Sequence, residues 1–121
     1  MARTMADTFA AEPVWLDDRV IVRLSGELDI DSAPALRGCL ERVSLVGQHE
    51  LVLDLSELEF CDSTGIGVFV EWQRRARDGG FELVLRSPRA HLRRLLEFAL
   101  LDNLVEERSA PPDAEPEADQ T

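Results

Sequence analysis

Stretches of alternating apolar and polar residues are interspersed along this chain with stretches of helical spacing. Val20, Val22 and Leu24 alternate with their neighbours, which predicts a half-buried strand. Residues 9–15 form a weaker strand candidate that a short turn joins to it as a hairpin. Residues 51–55 are apolar on both faces, which predicts a central parallel strand covered by helices on each side.

Three segments have the spacing of amphipathic helices. Ser32 can cap the first, and Gly47 is expected to end it. The second carries arginines towards its end and stops at Gly79-Gly80, while Ser87-Pro88 is expected to open the third. The positions predicted to share one side are Ala33, Leu36, Leu40 and Val43 in the first helix, Ile66, Phe69, Val70 and Gln73 in the second, and Leu92, Leu95, Leu96 and Ala99 in the third.

A last strand, alternating at Phe81, Leu83 and Leu85, completes the order strand, strand, helix, strand, helix, strand, helix. From the second strand onward this is a series of βαβ units, which requires right-handed crossovers and parallel strands. The initial hairpin adds one antiparallel strand. We therefore predict an α/β fold with a small mixed sheet that is mostly parallel and carries covering helices.

The length of 121 residues suits one domain with its own core. Residues 106–121 contain six acidic residues and three prolines, which predicts a disordered acidic tail, and residues 1–8 are expected to be a flexible N-terminus. The predicted domain is residues 9–105. No secretory leader pattern or membrane-length apolar run is found, so we expect a cytoplasmic protein that does not contact the membrane.

The net charge of −11 changes the range of possible partners. A chain this acidic repels phosphate backbones, and no surface pattern of aromatic and basic residues offsets the repulsion. We therefore expect no direct nucleic-acid binding.

Two loops follow parallel strands and are expected to meet at one edge of the sheet, residues 26–29 and residues 59–67. In the second loop, Ser63 lies at the start of a helix, where unpaired N–H groups and the helix dipole favour negative charge. A phosphate on Ser63 would be well accommodated there, and small neighbours such as Thr64 and Gly65 leave the hydroxyl accessible. From these residues alone, an ordinary N-cap remains the more common role for such a serine.

Catalytic and metal-binding alternatives lack the residues they need. The topology places neither His49 nor His91 beside Ser63 as a base for nucleophilic catalysis. The glycines at 65 and 67 lack the third glycine of a dinucleotide loop, and the absence of lysine excludes a Walker motif. Cys39 and Cys61 lack metal-site spacing. We predict a protein that is not an enzyme and has no metal and no cofactor.

Several of these segments together resemble the STAS-domain anti-sigma factor antagonists of bacterial partner-switching systems. The resemblance covers about residues 10–105, and it depends on the order and spacing of its parts. Those parts are Asp54-Leu55-Ser56, Phe60-Cys61-Asp62-Ser63-Thr64-Gly65-Ile66-Gly67, Gly79-Gly80, Gly26-Glu27-Leu28-Asp29 with Ala33-Pro34-Ala35-Leu36-Arg37, and a final helix from Pro88-Arg89 to Leu101-Asp102.

The resemblance implies a STAS fold and a regulatory role in transcription during stress responses. An unphosphorylated antagonist would bind an anti-sigma factor that is itself a serine kinase, and a sigma factor would be released. The kinase would phosphorylate Ser63, and a serine phosphatase would reverse the reaction. Partner contacts are expected at Gly26, Asp29, Asp62, Ser63, Thr64, Gly65 and Ile66, with Asp29 serving function more than folding.

Two other functions stay open from the sequence. One is a STAS scaffold or assembly subunit of a stress-signalling or lipid-transport ATPase complex, which would share the fold. The other is direct binding of a nucleotide or small ligand at the loop edge, although no phosphate-gripping motif is present there.

Overall fold

The computed structural model describes residues 9–43 and 48–106. In these residues five strands form one sheet whose spatial order is the order of the chain. β1 and β2 are antiparallel, and all later neighbours are parallel, which confirms the predicted mixed α/β fold. The elements are β1 Ala10–Trp15, β2 Arg19–Leu28, α1 Ala33–Arg42, β3 Glu50–Cys61, α2 Ser63–Gly79, β4 Glu82–Arg86, α3 Ala90–Phe98, a 3-10 turn Asp102–Leu104 and β5 Val105–Glu106.

The helices pack together on one face of the sheet. Because each parallel strand lies beside the previous one, each right-handed crossover proceeds in the same direction and places its helix on the same side. Buried residues of all three helices accordingly share one core cluster with alternate residues of β2, β3 and β4. This cluster is the hydrophobic core of the domain.

The prediction of helices on both sides of residues 51–55 is wrong. Leu51, Leu53 and Leu55 join the core under the helices, whereas Val52 and Asp54 alternate onto the other face. No helix of residues 9–43 and 48–106 packs against that second face. The apolar residue Val52 on the second face of the strand suggested a covering helix, but Val52 is fully buried without one.

The second, helix-free face carries a row of alternating charges in register across all the strands just described. Glu12 is opposite Arg23, Arg23 is opposite Asp54, Asp54 is opposite Arg86, and Arg86 is opposite Glu106. Asp54 and Arg86 are buried, and Arg86 Nε donates to Glu106 Oε1 at 3.3 Å. Opposite charges in facing positions stabilise a sheet, so this charge row favours the observed register.

The buried stripe of α2 differs from the one predicted. Its buried residues are Gly65, Val68, Phe69, Trp72 and Ala76, whereas the predicted positions other than Phe69 are only partly buried. Both stripes have helical spacing. The true stripe begins and ends with small residues, which contribute little to an apolar pattern.

Several boundaries also differ from the predictions. β2 and β3 extend into the segments predicted as loops, and α3 begins at Ala90 because Ser87 turns the chain through a left-handed conformation (φ 57°). β5 is too short for a sequence pattern to predict. It includes Glu106, one residue beyond the predicted domain. The expected helix stop at Gly47 and the rest of the predicted tail lie outside the described residues.

Truncation tests the C-terminal boundary of the domain. We expect a protein ending at Glu106 to unfold at the same temperature as the full chain, because residues 107–121 offer little to bury. A protein ending at Leu104 should lose about 1–2 kcal/mol, since it lacks β5 and the Arg86–Glu106 hydrogen bond. Thermal and urea unfolding of both proteins measure this difference, and a large destabilisation of the longer one would contradict the boundary.

Candidate functional site

The two loops singled out in the sequence lie side by side at the carboxyl edge of the sheet. Leu28 and Cys61 are partners at the ends of β2 and β3. Beyond them, the Asp62 backbone N–H donates to the Leu28 carbonyl at 3.1 Å. The predicted proximity of the two loops is therefore confirmed.

Asp62, and not Ser63, is the N-cap of α2. Its Oδ1 accepts hydrogen bonds from the backbone N–H groups of Thr64 at 2.9 Å and Gly65 at 3.3 Å. The N-cap role that the sequence favoured for Ser63 is thus wrong, because the preceding carboxylate already performs it. Ser63 is the first residue of the helix and is exposed. Its hydroxyl is therefore not needed to cap the helix.

Gly65 brings the start of α2 into direct contact with both strands. A Cβ at this position would lie 2.7 Å from the Cys61 Sγ and from two Leu28 side-chain carbons. Such distances are well inside van der Waals contact, so any side chain here would displace the helix. The close approach fixes the position of Ser63 relative to the sheet edge.

Cys61 packs beneath the start of α2, and its thiol is unreactive. Burial, together with the negative charge of Asp62, raises the pKa of the Cys61 thiol to about 12. The thiol therefore stays protonated at neutral pH and is a poor nucleophile.

Asp29 organises the loop between β2 and α1. Its Oδ1 accepts from the backbone N–H groups of Asp31 at 3.0 Å and Ser32 at 3.1 Å. Ser32, the N-cap residue of α1, makes no side-chain cap hydrogen bond and instead donates through Oγ to the Glu27 carbonyl. Asp29 thus has a role in folding that the sequence analysis did not assign to it, and its contact with a partner stays a prediction.

Gly26 lets β2 reach this loop. It has a φ of 86°, in the left-handed region that favours glycine, and lies where the pairing of β2 with β3 shifts register. The other predicted partner-binding residue, Ile66, is half-buried in the first turn of α2 and packs against the core.

Two exposed apolar residues at this edge were not among the predicted site residues. Ile30 lies in the loop after β2, and Phe60 is the penultimate residue of β3. Both are exposed although they are large and apolar. The signal in the sequence was an apolar residue inside an acidic loop, which a periodicity analysis passes over.

His49 lies too far from Ser63 to act as its base. His49 precedes β3, whose 12 residues span roughly 40 Å at 3.3 Å per residue, and Ser63 follows the opposite end. His91 is exposed on α3.

Across the part of the chain that the structure describes, no group of three His, Cys, Asp or Glu side chains is suited to a metal ion. Its helices include none with the length and hydropathy of a membrane span.

Comparison with known proteins defines the class. A family model described as Mlab, STAS domain matches residues 13–106. The chain belongs to the STAS-domain family.

Several of the similar proteins are anti-sigma factor antagonists. The anti-sigma-B factor antagonist of Listeria monocytogenes is 35% identical over 89 residues, which are 74% of this chain and 78% of that protein. The crystal structure of an anti-sigma factor antagonist from Mycobacterium paratuberculosis has a TM-score of 0.69 at 28% identity and covers 95% of this chain and 97% of its own.

The Bacillus anti-sigma factor antagonist SpoIIAA shares the fold in both of its forms. Its unphosphorylated structure has a TM-score of 0.72 at 20% identity and covers 92% of this chain and 95% of its own. Its phosphorylated structure has a TM-score of 0.70 at 21% identity, with coverage of 92% and 98%.

Two glycines in the same helix provide a matched test of the close contact. Gly65→Ala should destabilise the domain by about 1–3 kcal/mol, because its methyl group overlaps Cys61 and Leu28. Gly67→Ala should stabilise it by about 0.5–1 kcal/mol, since nothing lies within 4 Å and alanine favours a helix. Urea unfolding of both variants gives the free energies of unfolding, and equal values would contradict the packing described here.

Asp29 and Asp31 provide a second matched pair. Asp29→Ala should lower the free energy of unfolding by about 0.5–2 kcal/mol, because the Asp31 N–H loses its acceptor and the Ser32 N–H keeps only the Asp29 carbonyl. Asp31 contributes its backbone N–H to this turn, so Asp31→Ala should leave stability within about 0.5 kcal/mol of the parent. Thermal unfolding distinguishes the two, and an unaffected Asp29→Ala would remove the folding role.

Proposed function

We propose that this chain is an anti-sigma factor antagonist whose partner binding is switched by phosphorylation of Ser63. In the unphosphorylated form it binds an anti-sigma factor that is a serine kinase, so that a sigma factor is released in the cytoplasm. The kinase inactivates it by transferring the γ-phosphate of ATP to the Ser63 hydroxyl, and a serine phosphatase restores it. Ser63 is a substrate residue in this cycle.

One observation carries the proposal: Ser63 is exposed at the first position of α2 while Asp62 performs the capping. A kinase can reach the hydroxyl without breaking a cap. The first turn of α2 itself contains no acidic residue, but the Asp62 carboxylate already accepts from two of its N–H groups, so the helix start offers a phosphate its dipole and not those two donors. The names of the similar proteins agree with this function, since the Listeria relative is an anti-sigma-B factor antagonist and SpoIIAA has a phosphorylated form.

The effect of the phosphate follows from its charge. Phosphorylation adds about −1.5 to −2 charges at pH 7, next to Asp62. Removing that charge from water in a close interface is costly. A penalty of about 3 to 4 kcal/mol weakens binding on the order of several hundredfold, which is enough to reverse a competition between partners at similar concentrations.

The competing function is that of a scaffold or assembly subunit of a stress-signalling or lipid-transport ATPase complex, which would share the STAS domain that the family model matches. A subunit of a stable complex would bind its partner equally well with any small residue at position 63. The behaviour of Ser63 variants therefore separates the two functions.

The test uses a kinase recovered from the host by co-purification with this chain. We expect the wild-type chain, incubated with that kinase and ATP, to gain one phosphate that peptide mapping places on Ser63. Thr64→Ala should still be phosphorylated. Ser63→Ala should not, and it should keep tight binding, whereas Ser63→Asp should bind more weakly, because a carboxylate enters the same contact.

Two results would contradict the proposed function. One is full phosphorylation of Ser63→Ala. The other is equal affinity of the phosphorylated and unmodified chains for the kinase. Calorimetry of the chain alone with nucleotides tests the third function, direct ligand binding, which we expect to give no heat of binding.

A further inference from the structure

Two large apolar side chains at the edge that holds Ser63 are left in contact with water. Ile30 is 71% exposed and Phe60 is 45% exposed. Phe60 is in register with Glu27 on the neighbouring strand, and Ile30 follows two residues after the end of β2. The Asp62–Leu28 hydrogen bond joins the segments that carry them. Both residues thus lie at the edge of the sheet where α2 begins with Ser63.

The surroundings of these two residues are acidic. The segments 26–32 and 56–67 contain no arginine, lysine or histidine. The two segments therefore combine an apolar pair with carboxylates, and a nearby cation is Arg89, whose Nε donates to the Ser56 carbonyl at 3.1 Å. The carboxylates of the two segments belong to Glu27, Asp29, Asp31, Glu57, Glu59 and Asp62.

We propose that Ile30 and Phe60 are the apolar anchors by which this chain holds its anti-sigma factor, and that the partner presents an apolar cleft rimmed by arginine and lysine. The inference rests on the proposed function and names the chemistry of its interface. Energy in such interfaces concentrates in a few large side chains that become fully desolvated, while surrounding charges steer association. Complementarity to the six carboxylates identifies the rim as basic.

This arrangement also defines how the phosphate acts. A basic rim attracts a phosphate, so simple charge repulsion cannot be the main effect of modification. Ser63 is three residues after Phe60, and a phosphate there must keep its hydration. A hydrated phosphate holds the cleft away from the anchors, so the apolar contacts are lost while the attraction at longer range persists.

Binding kinetics with the co-purified kinase test the anchors. Ile30→Ala and Phe60→Ala should each weaken binding by about tenfold or more, mainly through faster dissociation. Phe60→Leu should keep most of the affinity, since it preserves apolar area. Phe98→Ala is the matched control, because Phe98 is 87% exposed at the far end of α3, and its affinity should be unchanged. Higher salt should slow association of all variants, as a basic rim requires.

Phosphorylation kinetics supply a second readout. Loss of an anchor should raise the KM of the kinase for this chain and leave kcat unchanged, because the anchors contribute equally before and during phosphoryl transfer. Thermal unfolding of Ile30→Ala and Phe98→Ala should match the parent, since these side chains are largely exposed, and Phe60→Leu controls for the partial burial of Phe60.

The outcomes distinguish the inference from the function on which it rests. If both alanine variants bind like the wild type while Ser63→Asp binds weakly, the anchors are refuted and the proposed function stands. If higher salt leaves association unchanged or makes it faster, the basic rim is refuted. If the wild-type chain retains no serine kinase, both proposals fall.

Discussion

The direction of the crossovers decides where everything else in this domain lies. Each parallel strand is added to the same side of the previous one, so the three helices share a face and their N-termini share an edge with the strand ends. The loops after β2 and β3 consequently meet, and the hydroxyl of Ser63 lies where an acidic loop from the neighbouring strand flanks it. A sheet that grew in both directions would have separated these two loops.

The same constraint leaves the other face of the sheet to be stabilised without helices. Ile21 and Val52 are buried on that face. The charge row from Glu12 to Glu106 runs across all five strands on the same face. A shift of any strand by one residue would bring its apolar residues out of the core and its charges out of alignment. The charge row and the apolar core therefore select the same register from opposite sides of the sheet.

The sequence predicted the class and order of elements because βαβ units constrain one another strongly. It failed where small residues carry the structure: Gly65 and Ala76 belong to the buried stripe of α2, yet contribute little apolar signal. It placed Ser63 at the helix start, but could not distinguish the capping residue from its neighbour, since Asp62 and Ser63 are both good caps. The exposure of Ile30 and Phe60 depends on tertiary packing and is not encoded in a local pattern.

The contact at Gly65 has a consequence for the timing of the proposed switch. Because the helix start packs directly against two strands, a phosphate on Ser63 would be added to a backbone that is already held in place. The two states of the switch would then differ only in the phosphoester on Ser63. The surface that a partner contacts would change as soon as that bond forms. No conformational relaxation would delay or reverse the signal. The lifetime of each state would be set by the kinase that makes the phosphoester and the phosphatase that breaks it. The ratio of these two activities would decide what fraction of the molecules can bind the partner.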